Sequence, residues 1–260
     1  MILVSVPAVF VHGNPETAAL WDELRSCLRR PDHVALSLPG FGCARPSGFG
    51  ATKEEYAGWL AEELERFGAP ADLVGHDWGG YLTVRVASLR GDLLRSWTSD
   101  ALGAFDEQFE WHRWARTWQR PGSGEAWVAR ALDTPVEDRA AGFERLGVPR
   151  EVTQILAGWL DATMGESMLA LYRSAIDIAR EWSMVAENIH PPGLAIIATA
   201  DPWGKAELVR RVAARADART IELDGLGHWW MLQDPRRGAR MLEDFWSTGG
   251  PQHGATTPTV

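Results

Sequence analysis

Apolar residues along the chain follow two rhythms. Up to about residue 100, short apolar runs alternate with stretches in which apolar positions recur every three or four residues. The runs PAVFVH (7–12), HVALSLP (33–39), ADLVGH (71–76) and LLRSWTSD (93–100) predict strands. Runs of this length without strict alternation fit strands buried on both faces of a parallel sheet. Helical stretches fall between them, over 16–29, from Thr52 onward and over 81–90. The stretch after Thr52 is the clearest: Glu55 three residues on makes a capping box, and Tyr56, Leu60, Leu64 and Phe67 share one face. From about 102 to 188 there is no strand pattern, only helical ones broken at Pro121-Gly122, Thr134-Pro135 and Val148-Pro149. Alternation resumes with GLAIIAT (193–199), a helix over 205–215, ARTIEL (218–223) and a last helix over 235–246. An α/β core over 1–101 and 189–247, carrying a helical cap over 102–188, is therefore expected, with a disordered tail over 248–260.

Composition narrows the partners. A chain of 260 residues can bury a large core, and its net charge of -9 argues against nucleic acid and gives no attraction to anionic lipid. Cys27 and Cys43 have neither a disulfide framework nor metal-ligand spacing. Residues 1–11 are apolar but lack a basic leader and a cleavage site, so they read as a buried strand rather than a signal peptide. No run approaches the roughly 18–20 apolar residues of a membrane span. A cytoplasmic protein acting on a small hydrophobic molecule is expected; oligomeric state is not indicated. Of the fourteen tryptophans, Trp111, Trp114, Trp118, Trp127, Trp159 and Trp182 fall in the helical insert, either to pack it or to line an apolar pocket.

The chemistry centres on Gly75-His76-Asp77-Trp78-Gly79-Gly80, a G-x-nucleophile-x-G pattern between a predicted strand and a predicted helix. By itself such a segment is equally an N-capped turn. Three other segments weigh against that: Ala200-Asp201-Pro202 after a strand, Gly227-His228 after the last strand, and His12-Gly13-Asn14-Pro15 after the first. All fall at strand C-terminal ends, where open parallel sheets gather their sites, and the order nucleophile, acid, histidine suits this elbow. Asp100, ending the strand before the insert, is the reserve acid.

These residues resemble the α/β-hydrolase superfamily, in particular its aspartate-nucleophile branch of epoxide hydrolases and haloalkane dehalogenases. The resemblance is strong at HGNPE, LPGFG, GHDWGG, the Asp201 turn and GLGHWW, weak in the cap, and spans most of residues 7–246. The family sheet usually carries two more N-terminal strands, so at least one is expected to be missing here. The resemblance implies an α/β-hydrolase fold and an enzyme without cofactor or metal. Its Asp77 would attack saturated carbon, forming an alkyl ester that His228, oriented by Asp201, hydrolyses with water. A carboxylate attacking a carbonyl would instead give a high-energy anhydride, which disfavours ester substrates. Backbone N–H groups near Asn14 and Trp78 would hold the oxyanion.

The leaving group divides the readings. An epoxide needs an O–H donor, and Tyr172, in Leu171-Tyr172-Arg173, is the only cap tyrosine and resembles one used by epoxide hydrolases. The usual second tyrosine has no counterpart; a tryptophan or His112 is the substitute, or Tyr172 acts alone. A halide needs only N–H donors, and Asn14 with Trp78 would supply them. Glu16, the Gly75-His76 lead-in and Tyr172 favour the epoxide; the asparagine of HGNP favours the halide. Carboxylate-binding arginines of the fluoroacetate type have Arg45 as their only candidate. Epoxide hydrolysis is the favoured expectation, haloalkane dehalogenation the alternative, and a silent member binding a small apolar ligand the third.

Overall fold

The computed structural model describes residues 6–248. Six strands, β1 (Ala8–Val11), β2 (His33–Leu36), β3 (Ala71–Gly75), β4 (Leu94–Ser99), β5 (Gly193–Ala198) and β6 (Arg219–Leu223), form one sheet in the order β2-β1-β3-β4-β5-β6. Every neighbouring pair is parallel. β1 and β3 are buried at every position, as continuous apolar runs require, whereas β6 at the sheet edge is largely exposed. Asp72 is a buried charge within β3, held by Arg30, Arg95 and Ser96.

Helices cover both faces. α1 (Asp22–Ser26) and the C-terminal α12 (Pro235–Thr248) pack on one, with α11 (Trp230–Gln233) between them. α2 (Lys53–Glu65), α3 (Trp78–Leu89) and α10 (Ala206–Arg215) cover the other. α2 has the expected capping box between Thr52 and Glu55 and buries Tyr56, Leu60 and Leu64. Between β4 and β5 run α4 (Arg113–Gln119), α5 (Ser123–Asp133), α6 (Val136–Arg145), α7 (Arg150–Trp159), α8 (Ala162–Ser174) and α9 (Ile178–Trp182). No helix among the described residues is long and apolar enough to cross a membrane.

Several boundaries depart from the sequence pattern. The helix expected over 16–29 is a 3-10 turn at Ala18–Trp21 followed by the short α1, because residues 12–17 are drawn into the site. The strand expected to reach Pro39 ends at Leu36, where the Leu38 N–H turns to His12 Nε2, 3.0 Å away. α3 begins at Trp78 rather than 81, and Thr248, expected in the tail, closes α12. The first five residues of the expected N-terminal strand and the rest of the tail lie outside the described residues.

Candidate active site

Asp77 sits at the turn between β3 and α3 with φ 49° and ψ -118°, a strained conformation for a residue with a side chain. Two glycines make it feasible. A Cβ on Gly79 would lie 2.3 Å from the Val11 carbonyl oxygen, and one on Gly13 would lie 2.3 Å from the Asp77 Cβ. Their absence lets α3 start against the end of β1 and lets the β1 loop approach the carboxylate. The Asn14 N–H donates to Asp77 Oδ1 over 2.9 Å. Trp78 opens α3, so its N–H is among the first-turn groups without an intrahelical partner.

The Asp201 turn after β5 and the His228 loop after β6 meet at this point. His228 Nδ1 lies 2.8 Å from Asp201 Oδ2, and its Nε2 lies 4.0 Å from Asp77 Oδ2. The Trp203 N–H donates to Asp201 Oδ1. Asp201 is thereby an acceptor on both oxygens, which places the ring proton of His228 on Nδ1 and leaves Nε2 facing the carboxylate as a base. Burial alone would push Asp201 up, but His228 and the Trp203 N–H hold it down at about 2. Burial raises Asp77 to about 6, with His228 and His76 opposing. Burial also works against charge on His228, yet Asp201 keeps its affinity for a proton above the ordinary value.

A pH consequence follows from Asp77. Only its carboxylate form could act as a nucleophile, and its pKa is raised, so the anion is present above about pH 6 and is lost as pH falls through that value. Single-turnover formation of any ester on Asp77 should therefore fall to half near pH 6. A midpoint near 4 would contradict the buried setting.

Asp100, the reserve acid, does not reach His228. Its Oδ1 accepts the Asp77 N–H over 3.0 Å, and its Oδ2 lies 2.6 Å from both His76 Nδ1 and Trp230 Nε1. Glu16 mirrors it, accepting Gly13 N–H at 2.8 Å and Trp229 Nε1 at 2.6 Å. Pairings so distant in sequence leave no local signal, and the supporting roles of Glu16, His76 and the indoles of Trp229 and Trp230 were not legible from spacing.

A cavity of about 910 Å³ opens over Asp77. Asn14, Asp77, Tyr172, His112, Asp201 and His228 all line it. Tyr172 and Trp111 pack against Trp78, with ring centroids 5.4 and 5.7 Å from it. Near the Tyr172 hydroxyl, the Trp78 indole N–H and the Asn14 side-chain amide are buried without a hydrogen-bond partner. Burial and the Asp77 charge keep that hydroxyl well above the ordinary phenol range, while those two side chains pull the other way. His112 N-caps α4, its Nδ1 accepting the Ala115 N–H. Burial and the nearby His228 lower His112 to about 4, so it is neutral at pH 7 with its ring proton on Nε2.

The tryptophans of the insert divide between both expected roles. Trp111, Trp114, Trp118 and Trp127 line the cavity. Trp182 is fully buried away from it, stacked on Phe105 at 5.6 Å, and Trp159 packs among core residues. Arg45 is paired with Glu166 at 3.5 Å and is not in the cavity lining, so it is no carboxylate-binding residue of the site.

Comparison with known proteins agrees with this architecture. The profile of the alpha/beta hydrolase family matches residues 8–241. Haloalkane dehalogenase 2 of Mycobacterium tuberculosis and of Mycobacterium bovis is 36% identical over 107 residues, covering 37% of this chain and 37% of the relative. The match thus spans little more than a third of those relatives' length. Among solved structures, haloalkane dehalogenase DbeA from Bradyrhizobium elkani aligns with a TM-score of 0.72 at 19% identity, covering 94% of this chain and 92% of that one. The enol-lactonase from Burkholderia xenovorans aligns with a TM-score of 0.73 at 18% identity, with the same coverage. At such identities the structural likeness speaks for the fold alone. With the family profile running through every strand of the sheet, the chain belongs to the alpha/beta hydrolase family.

Proposed function

We propose that this hydrolase opens a hydrophobic epoxide to a vicinal diol through an ester on Asp77. The observation that carries the reading is that Tyr172 lines the same cavity as Asp77. The Tyr172 ring packs edge-on against Trp78, and its O–H is a donor for an oxygen bound in that cavity. That is what an opening epoxide requires, since its oxygen becomes an alkoxide that must be protonated. His112, neutral and with Nε2–H available, is the second donor in place of the missing tyrosine.

Oδ1 of Asp77 is held by Asn14, so Oδ2 is the attacking atom. Its lone pair forms a C–O bond as the ring C–O bond breaks, and the ring oxygen takes its proton from Tyr172. The ester now lacks the Asp77 charge, which removes an anionic neighbour of His228 and favours its neutral, basic form. His228 then takes a proton from water, and the hydroxide adds to the Asp77 carbonyl. The resulting oxyanion at Oδ1 meets the Asn14 N–H; its collapse breaks the ester C–O bond, the departing alkoxide takes the proton from His228, and the proton of the new Asp77 acid returns to Tyr172 as the diol leaves.

A second reading has its own observation. Two buried N–H donors without completed bonds, Trp78 Nε1 and Asn14 Nδ2, cost roughly 1–3 kcal/mol each unless a ligand meets them. A departing halide would do so, and the curated relatives named above are haloalkane dehalogenases. Diol formation from styrene oxide beside halide release from 1-bromobutane separates the two. Tyr172→Phe should lower diol formation roughly 100-fold, the low end of general-acid effects. Halide release without diol formation in the wild type would replace the first reading with the second; neither activity, with retained binding of an apolar ligand, would leave a binding protein.

A further inference from the structure

His76 has no part in the chemistry above, yet it is fully buried between two carboxylates. Its Nδ1 lies 2.6 Å from Asp100 Oδ2 and its Nε2 lies 3.3 Å from Glu16 Oε1. Both carboxylates hold backbone of the site with their other oxygen. Asp100 accepts the N–H of Asp77, and Glu16 accepts the N–H of Gly13, the residue before Asn14. The His76 ring also lies 4.5 Å from the His228 ring, centroid to centroid.

We propose that His76 stands as a buried imidazolium and acts as a positioning residue, tying the Asp77 turn to the Asn14 loop and easing loss of the proton from His228 for its work as a base. Two carboxylates converge on one ring, and a neutral imidazole would leave one nitrogen without a proton facing an anion. Burial opposes charge on His76, but Asp100 and Glu16 outweigh it and set its pKa well above the ordinary value. The groups facing it are Glu16 from the β1 loop, Asp100 at the end of β4, and His228 after β6; His12, Asp77 and Asp201 lie further out. Its positive charge lowers the proton affinity of both Asp77 and His228. The same charge also compensates the two anions beneath the site.

The inference builds on the reading of Asp77 as nucleophile and His228 as base, but its first test does not need turnover. In wild-type protein with nitrogen-15 histidine, His76 should show both ring nitrogens protonated at pH 7 and well above the ordinary imidazole midpoint. In His76→Gln the His228 midpoint should rise by roughly one pH unit. The double variant His76→Gln/Glu16→Gln, which removes one charge of each sign, should bring it most of the way back. A His76 that is neutral at pH 7, or a His228 midpoint unmoved in His76→Gln, overturns the proposal. Single-turnover trapping supplies the separate check on the parent reading: a wild type that forms no Asp77 ester removes the nucleophile, whatever the nitrogen spectra show. If His76 were purely structural, His76→Gln would lower the rate equally at every pH, whereas loss of the charge proposed here moves the acid limb of ester hydrolysis to higher pH.

Discussion

Replacing Asp77 by asparagine is expected to abolish turnover, with a loss on the order of 10⁴-fold or more, while the protein still folds. The side chain is nearly isosteric, so the strained turn and the Asn14 N–H contact have no steric reason to change. What disappears is the attacking anion. The loss should be the same for an epoxide and for an alkyl halide, because both reactions begin at Oδ2. In the wild type, one turnover in heavy-oxygen water should place the label in the Asp77 carboxylate before it reaches product. Direct appearance of label in the first product would mean that His228 drives water onto the substrate with no covalent step, and Asp77→Asn would then retain part of its activity.

The second large effect belongs to His228→Gln. The first step needs only Asp77 and a leaving-group donor, so the ester should form and then persist, with its hydrolysis slowed on the order of 10³-fold. Intact-protein mass after mixing with substrate reads this directly. An epoxide adds its whole mass, since ring opening expels nothing. An alkyl halide adds the alkyl group without the halogen. One spectrum therefore reports both the covalent step and the leaving group. A His228→Gln protein that accumulates no adduct, beside a wild type that turns over, would show that His228 acts before or during the first bond-forming step.

Asp201 and Asp100 show why geometry was needed to choose between two acids. Both follow a strand at the same edge of the sheet, so pattern alone allows either. The structure sets Asp201 on His228 and Asp100 on His76. β5 lies beside β6, whose following loop carries His228, whereas Asp100 follows β4, one strand further in and beside β3, whose last turn carries His76 and Asp77. Strand order, a property of the assembled sheet, made the selection.

Much of the framework was carried by local rules. Continuous apolar runs specified the six strands and the Thr52–Glu55 pair specified the start of α2, because each depends on neighbours within a few residues; the glycines about Asp77 marked the turn, although the room they leave is filled by the distant β1 end and its loop. Helix and strand ends were less legible where the chain serves the site, as at residues 12–17, since contacts to distant residues overrode local preference there. The carboxylate in the elbow, with an acid and a histidine at later strand ends, was present in the order of residues and limited the chemistry by the reactivity of a carboxylate alone. Only the tertiary structure decided which acid meets His228, which tryptophans line the cavity, and that Trp78, Asn14 and Tyr172 converge beside Asp77. The reason is physical: hydrogen bonds and burial act through space between residues as far apart as Glu16 and Trp229, separated by 213 positions, and no spacing along the chain encodes them.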